Sequence, residues 1–335
     1  MLEITDITTS IQIPQLIRDD FIKAGHPVLD NKNRPIHYSG GFAVVFPFLV
    51  DNQKWAFRCW SADLGNVESR LRKISETIKV LNLPYFCDFT YQANGLVVNG
   101  ETYPTTRMRW IDGDNIKDYI CLHRNEAHTL RKLADDFLTM CDKMHACHIA
   151  HGDLQHGNIL VDKEGNIYLI DYDSMYVPAL NGENNIINGI PDYQHPQRAN
   201  SIYFSYKLDY FSELIIYLSI LAISERPSLV EDYKIEDADR LLFSKDDYEN
   251  LTKSRIYKEL SSLSPTIKQL LTILKGYLKH DNISDLGSTS FLMCLNGTSF
   301  KYGQNLYCTY CGTKYSCTEE NRFCINCGKE LNYGK

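Results

Sequence analysis

His151-Gly152-Asp153-Leu154-Gln155-His156-Gly157-Asn158, followed by Ile170-Asp171-Tyr172-Asp173, is the stretch on which the reading of this chain turns. Upstream, Leu130, Leu133, Phe137, Met140 and Met144 recur at alternating three- and four-residue steps, which predicts a helix over 126–148 with one buried face. Downstream, Ile159-Leu160-Val161 and Tyr168-Leu169-Ile170 predict two short strands, so the polar groups fall where regular elements end. A single Asp-x-x-x-x-Asn is common and reads equally well as a turn with capping side chains. The surrounding chain has to decide.

Working outward, β-type segments dominate from Ile36 to Met108, at 42–50, 54–60, 86–91, 96–98 and 103–108. One helix interrupts them over 67–81, with Leu71, Ile74, Ile78 and Leu81 on one face. Ahead of them lie a short helix over 14–24 and a turn-rich stretch, an N-terminal extension of residues 1–35. Beyond Gly113 the pattern is helical to about residue 290. These signals predict an α+β chain with a strand-rich first lobe and a helical second one.

With 44% hydrophobic residues in 335, the chain can fill a core of that size. A net charge of −7 without any block of like charge disfavours disorder and a nucleic-acid partner. The longest apolar run, 214–223, is too short for the roughly 20 residues of a membrane span and reads as a buried helix. The N-terminus lacks the basic start and apolar stretch of a secretion signal, so a cytoplasmic protein without a membrane partner is expected.

The stretch 151–158 with Asp171 resembles the catalytic loop and metal-binding aspartate of protein kinases. The resemblance continues in chain order. Ser39-Gly40-Gly41-Phe42-Ala43 is similar to the glycine-rich loop over the phosphates, although Tyr38 and Ala43 replace two of its three signature glycines. Ala56-Phe57-Arg58 resembles the third strand, with arginine in place of the phosphate-contacting lysine, and Met108-Arg109-Trp110-Ile111-Asp112-Gly113 resembles the strand and hinge that receive adenine. Gly189-Ile190-Pro191-Asp192-Tyr193-Gln194-His195-Pro196 is similar to the end of the activation segment, and Asp209-Tyr210-Phe211-Ser212 to the start of the central helix.

The resemblance implies a two-lobed protein-kinase-like fold, with an N-lobe over 36–111 and a C-lobe over 112–290. It implies ATP and Mg²⁺ or Mn²⁺ as cofactors and a protein substrate. Asp153 would be the catalytic base, with Asn158 and Asp171 as metal ligands. Gly40, Gly41, Arg58, Met108, Arg109, Trp110 and Ile111 would bind ATP, with Met108 as gatekeeper. The kind implied is a bacterial serine/threonine-type kinase; a pseudokinase scaffold that binds nucleotide and a small-molecule phosphotransferase are the alternatives.

Several departures bear on activity. Arg58 is longer and forked where kinases use a compact ammonium, and its carboxylate partner is expected from the helix over 67–81, as Glu68 or Glu76. Gly152 replaces the arginine that clamps a phosphorylated activation loop, which disfavours that form of control. Asp173 stands where kinases carry glycine and is expected to stiffen the loop rather than bind a cation. Gln155 replaces a lysine, and His151-Gly152-Asp153 with Gly157-Asn158 is similar to small-molecule phosphotransferases. His145, His148, His151 and His156 lack the spacing of a helical ligand pair, and His151 is expected to brace the loop. The aspartate of Asp209-Tyr210 is expected to brace it as well.

A second signal stands apart at 300–335. Cys308-Thr309-Tyr310-Cys311-Gly312 and Cys324-Ile325-Asn326-Cys327-Gly328 are two Cys-x-x-Cys-Gly knuckles twelve residues apart. Each lets two thiolates reach one ion, and so short a stretch needs metal to fold, so a Zn²⁺ ribbon held by Cys308, Cys311, Cys324 and Cys327 is expected. Zinc ribbons serve both nucleic-acid and protein recognition, and with Lys314, Arg322 and Lys329 set against Glu319, Glu320 and Glu330 no basic stripe decides for nucleic acid. The remaining seven of the eleven cysteines read as reduced, mostly buried thiols.

Overall fold

A computed structural model describes residues 2–39, 43–61 and 67–295 and the residue pairs 306–307 and 314–315. The chain forms two compact units, residues 1–112 with 168–173, and residues 113–167 with 174–335.

The first unit is built on an antiparallel sheet. Strands β1 (His26–Pro27), β2 (Tyr38–Ser39), β3 (Ala43–Val50), β4 (Gln53–Trp60), β5 (Phe89–Val98) and β6 (Glu101–Arg109) are arranged β1-β3-β4-β6-β5, with β2 also on β3. Aromatic and β-branched residues dominate the buried positions, and Val44, Phe46, Phe48, Trp55 and Phe57 form a shared core with Leu96 and Val98. The segments expected as two strands at 86–91 and 96–98 are one strand, β5. Its register against β6 shifts between Gln92 and Leu96. Gly95 permits this, because a Cβ there would lie 1.7 Å from Thr105 Oγ1.

The N-terminal residues belong to this core. Helix α1 (Ile4–Ser10) and helix α2 (Asp20–Lys23) flank a 3₁₀ turn at Pro14–Leu16, and Ile7, Ile11, Ile17 and Ile22 are buried with the strand residues. The single helix expected over 14–24 is split because Pro14 starts the 3₁₀ turn and the Asp19 side chain caps α2 through the Phe21 and Ile22 amides. Arg107 on β6 holds Asp19 at 2.6 Å. Helix α3 (Val67–Leu81) buries Leu71, Ile74 and Ile78.

In the second unit, strand β7 (Gly113–Asn115) pairs with β8 (Ile159–Asp162), and α4 (Ile116–Leu122) is capped by Asn115. Helix α5 (Ala127–Ala146) buries the expected stripe of Leu130, Leu133, Phe137, Met140 and Met144. Helix α6 (Tyr210–Glu225) carries the longest apolar run and is buried nearly all round, which explains its lack of a polar face. Strand β9 (Ile167–Leu169) leads the chain into residues 168–173 of the first unit. No helix among the described residues is long and apolar enough to cross a membrane.

Between α5 and α6 lies a buried polar group. His145 Nε2 is 3.1 Å from Glu213 Oε2, the Thr289 amide donates to Glu213 Oε1 at 3.3 Å, and Ser290 Oγ donates to Asp142 Oδ2 at 2.9 Å. Burial pushes the Asp142 carboxyl up to about 7, against the pull of His145. The native state therefore keeps a proton that the unfolded chain releases near pH 4, and stability falls as pH rises from about 4 to about 7. Asp142→Asn should accordingly gain thermal stability relative to wild type between pH 5 and pH 8. A difference in melting temperature that does not change over that range would contradict the assignment.

Candidate active site

Arg58 lies in the middle of β4, opposite Val45 on β3 and Thr106 on β6. Its guanidinium meets the segment after β9 rather than a helix. Arg58 Nη1 donates to Asp173 Oδ1 at 2.9 Å and Nη2 to Asp173 Oδ2 at 2.6 Å, a forked pair. Nη1 also reaches Asp171 Oδ1 at 3.1 Å. Burial alone would lower the Arg58 pKa, but Asp173 and then Asp171 raise it above its ordinary value.

This corrects the expected pairing with α3. Glu68 instead holds Arg72 one turn along its own helix at 3.0 Å, and Glu76 is exposed. The signal that could have found the true partner was Asp173 itself, since an extra carboxylate two residues from Asp171 is within reach of whatever cation faces Asp171. Asp173 is used structurally, in an ion pair with Arg58.

Between the two aspartates, Tyr172 anchors the segment. Its ring packs edge-on against Phe86 and Phe89 at 5.6 and 5.1 Å, and its hydroxyl donates to the Leu169 carbonyl at 2.6 Å while accepting from the Cys87 amide at 2.9 Å. Asp171 can thus hold a left-handed backbone, φ 63°, a conformation that costs a non-glycine residue on the order of 1 kcal/mol. The Asp171 carboxylate stays half exposed.

Of the expected adenine-receiving residues, Met108 pairs with Ala56 and Phe89 in the sheet. The Arg109 amide donates to Asp88 O and the Trp110 amide to Lys54 O, and Lys54 Nζ sits 5.3 Å above the Trp110 ring. Ile111 follows as a half-buried residue. Gly40 and Gly41 lie outside the described residues.

The other half of the constellation is in the second unit. Asp209, 3% exposed at the start of α6, accepts from the backbone amides of His151 and Gly152, the latter at 2.9 Å. This is the bracing role expected of Asp209, and it acts on the His151 backbone. Gly152 has φ +80°, and a Cβ there would lie 2.1 Å from Ser174 O, so no side chain is tolerated at that position. Ala150 and Tyr176 exchange backbone hydrogen bonds of 3.1 and 2.9 Å, tying the loop to the segment that follows.

The loop then turns Asp153 and Asn158 toward one another. Asn158 Nδ2 donates to the Asp153 carbonyl at 2.9 Å and to Oδ2 at 3.3 Å, while the Ile190 amide donates to Asp153 Oδ1 at 3.3 Å. Gln155 Oε1 accepts from the Gly157 amide at 2.6 Å and shapes the turn between them. His156 Nδ1 lies 2.9 Å from the Tyr193 hydroxyl, which accepts from the Leu241 amide at 2.9 Å. Among the described residues, no group of three or more histidines, cysteines and acids could hold a metal ion.

In the second unit Asn158 donates its Nδ2 to Asp153, which leaves its amide oxygen as an available donor atom. In the first unit Asp171 presents a half-exposed carboxylate. Each is the kind of hard oxygen ligand that Mg²⁺ prefers, and these are the residues that would hold one. Cys308, Cys311, Cys324 and Cys327 lie outside the described residues. Of that region, Leu306–Tyr307 pairs antiparallel with Lys314–Tyr315.

A strand-built unit with an arginine centred on its second long strand, joined in the chain to a helical unit whose central helix holds an Asp-x-x-x-x-Asn loop, is the architecture of kinase-type phosphotransferases. The family description "Protein kinase domain" matches residues 40–289, and the chain belongs to that family. It is also similar to CBL-interacting serine/threonine-protein kinase 21 of Arabidopsis thaliana, 25% identical over 157 residues, 47% of this chain and 36% of that protein. The chain thus spans little more than a third of that relative's length.

Loss of the forked partner should be felt without any ligand. Asp173→Asn leaves Arg58 half-buried with Asp171 as its remaining carboxylate and should cost about 1–2 kcal/mol of stability. Glu68→Ala, which removes an exposed helix pair, should cost less than about 0.5 kcal/mol. Urea unfolding of the two variants gives the comparison, and equal losses would mean that α3 does supply a partner.

Proposed function

We propose that the chain is an ATP- and Mg²⁺-dependent serine/threonine-type protein kinase carrying a zinc-ribbon interaction module. The observation that carries this reading is Asp153: both its carboxylate oxygens are already oriented, one by Asn158 and one by the Ile190 amide, in a loop that the buried Asp209 shapes. A carboxylate so held is aimed for proton transfer rather than spent as a helix cap.

In the proposed reaction the substrate hydroxyl oxygen attacks the γ-phosphorus of ATP, the bond from that phosphorus to the β-bridging oxygen breaks, ADP leaves, and the hydroxyl proton passes to Asp153. The divalent ion, when bound, offsets the phosphate charge. Asn158 and Asp171 would hold it. Arg58 would act as the phosphate contact, with Asp173 keeping its guanidinium fixed. Gly40 and Gly41 would cover the phosphates, and Met108, Arg109, Trp110 and Ile111 would receive the adenine. The segment Gly189 to Pro196, which resembles the end of a protein kinase activation segment and turns at Pro191–Tyr193, supports a peptide substrate over a small molecule.

A nucleotide-responsive scaffold is the second reading, favoured by the hold of Arg58 on Asp171. Transfer of labelled phosphate from ATP with magnesium to protein separates the two. Asp153→Asn should lower transfer by roughly 10²–10⁴ with little change in ATP affinity. Asp171→Asn should weaken nucleotide binding with magnesium as well, because a ligand charge is lost. Equal background transfer by wild type and Asp153→Asn, both still binding ATP, would replace the kinase reading by the scaffold.

For the ribbon, the antiparallel pairing of 306–307 with 314–315 flanks the first Cys-x-x-Cys pair in the sequence, which supports a knuckle reading of that stretch. The purified chain should carry about one zinc, held by Cys308, Cys311, Cys324 and Cys327. Metal analysis of Cys308→Ser with Cys327→Ser should show it lost, and full retention would rule out this ligand set.

A further inference from the structure

Arg198 is the least expected charged group of the second unit. It lies in the 3₁₀ turn Pro196–Asn200, is 1% exposed, and was not singled out by any motif. Its Nη2 donates to three acceptors: the Gly152 carbonyl at 3.2 Å, Asn185 Oδ1 at 3.1 Å and the Ile187 carbonyl at 3.3 Å. One guanidinium therefore joins the residue before Asp153 to the segment that, three residues beyond Ile187, donates its Ile190 amide to Asp153. Gly152 is gripped from both sides, its amide by Asp209 and its carbonyl by Arg198.

The chemistry of the segment points the same way. Between residues 174 and 196 the only hydroxyl side chains are Ser174, Tyr176 and Tyr193, and all three are buried. The exposed stretch around residues 181–186 has none, so a phosphate has no acceptor there. The arginine that would receive one is replaced by Gly152, where a Cβ would strike Ser174 O. Burial lowers the Arg198 pKa to about 10, opposed by Asp209 and Asp153, so the group is charged at neutral pH.

We propose that Arg198 is a positioning residue that orders the 183–191 segment against the catalytic loop from within, so that the site is assembled without phosphorylation of that segment. This rests on the reading of Asp153 as the catalytic base, but its structural part can be tested without activity. A guanidinium that bridges two strands of chain lowers the frequency of local opening, and loss of a charge-assisted hydrogen bond raises it by about 10–100-fold.

Hydrogen–deuterium exchange of the full chain is the test. Peptides covering 183–191 should be protected in wild type, and equally so after phosphatase treatment. In Arg198→Met their exchange should rise about 10–100-fold, with Arg198→Lys between the two and the β3–β4 strands unchanged. In transfer assays Arg198→Met should lower kcat while leaving the KM for ATP with magnesium near wild type. Asn185→Ala removes one acceptor without disturbing the buried charge, and should raise exchange in the same peptides even if Arg198→Met does not fold. Unchanged exchange in folded Arg198→Met or in Asn185→Ala, or a loss of protection on phosphatase treatment, would overturn the proposal. Absence of transfer in wild type, with the exchange pattern as expected, would refute the kinase reading and leave the clamp standing.

Discussion

The second unit depends on one buried carboxylate. Asp209 has almost no contact with solvent, and both its oxygens are taken up by the consecutive amides of His151 and Gly152. Burial raises its pKa, while His151, the two amides and Arg198 favour the charged form. A buried acceptor without partners would cost several kcal/mol, on the order of 2–7, so the loop must present these two amides together. That requires the left-handed turn at Gly152, which in turn lets Ser174 approach and the Ala150–Tyr176 bridge close. The positions of Asp153 and Asn158 follow from this backbone rather than from their own preferences.

The first unit solves a different problem, how to hold an arginine where a shorter cation is usual. A guanidinium is planar and presents two parallel N–H groups, so it is matched best by one carboxylate taken edge-on. Asp173 provides that match, and a glycine in its place would leave the fork unfilled. The partner therefore comes from the segment that Tyr172 pins to the sheet, while Glu68 on α3 pairs with Arg72 of its own helix. The same pairing draws on Asp171, so any cation held there would compete with a protein contact.

Both units show where a sequence is legible. The long strands, α3 and the α5 stripe were readable because burial of one face imposes a period, and a period survives in one dimension. Asp209 was readable through a motif, and the loop with it. The β5 strand was misread because Ala93-Asn94-Gly95 looks like a turn, while in the sheet the glycine is a bulge set against Thr105. The isoleucines at 7, 11, 17 and 22 gave too weak a pattern to show that the N-terminal residues complete the core.

Taken alone, the sequence determined the strand-rich first part, the helical second part and the order of their elements, since these rest on local periodicity, while Asp153 and Asn158 were singled out through the resemblance of their motif to protein kinases. It also placed four cysteines at metal-ligand spacing. Tertiary structure alone decided the partners of the charged groups. Arg58 chose Asp173, 115 positions away, over the glutamates of its neighbouring helix. Arg198 found the Gly152 carbonyl 46 positions back. Such pairings are set by which groups burial brings within hydrogen-bond reach, and distance along the chain carries no trace of them.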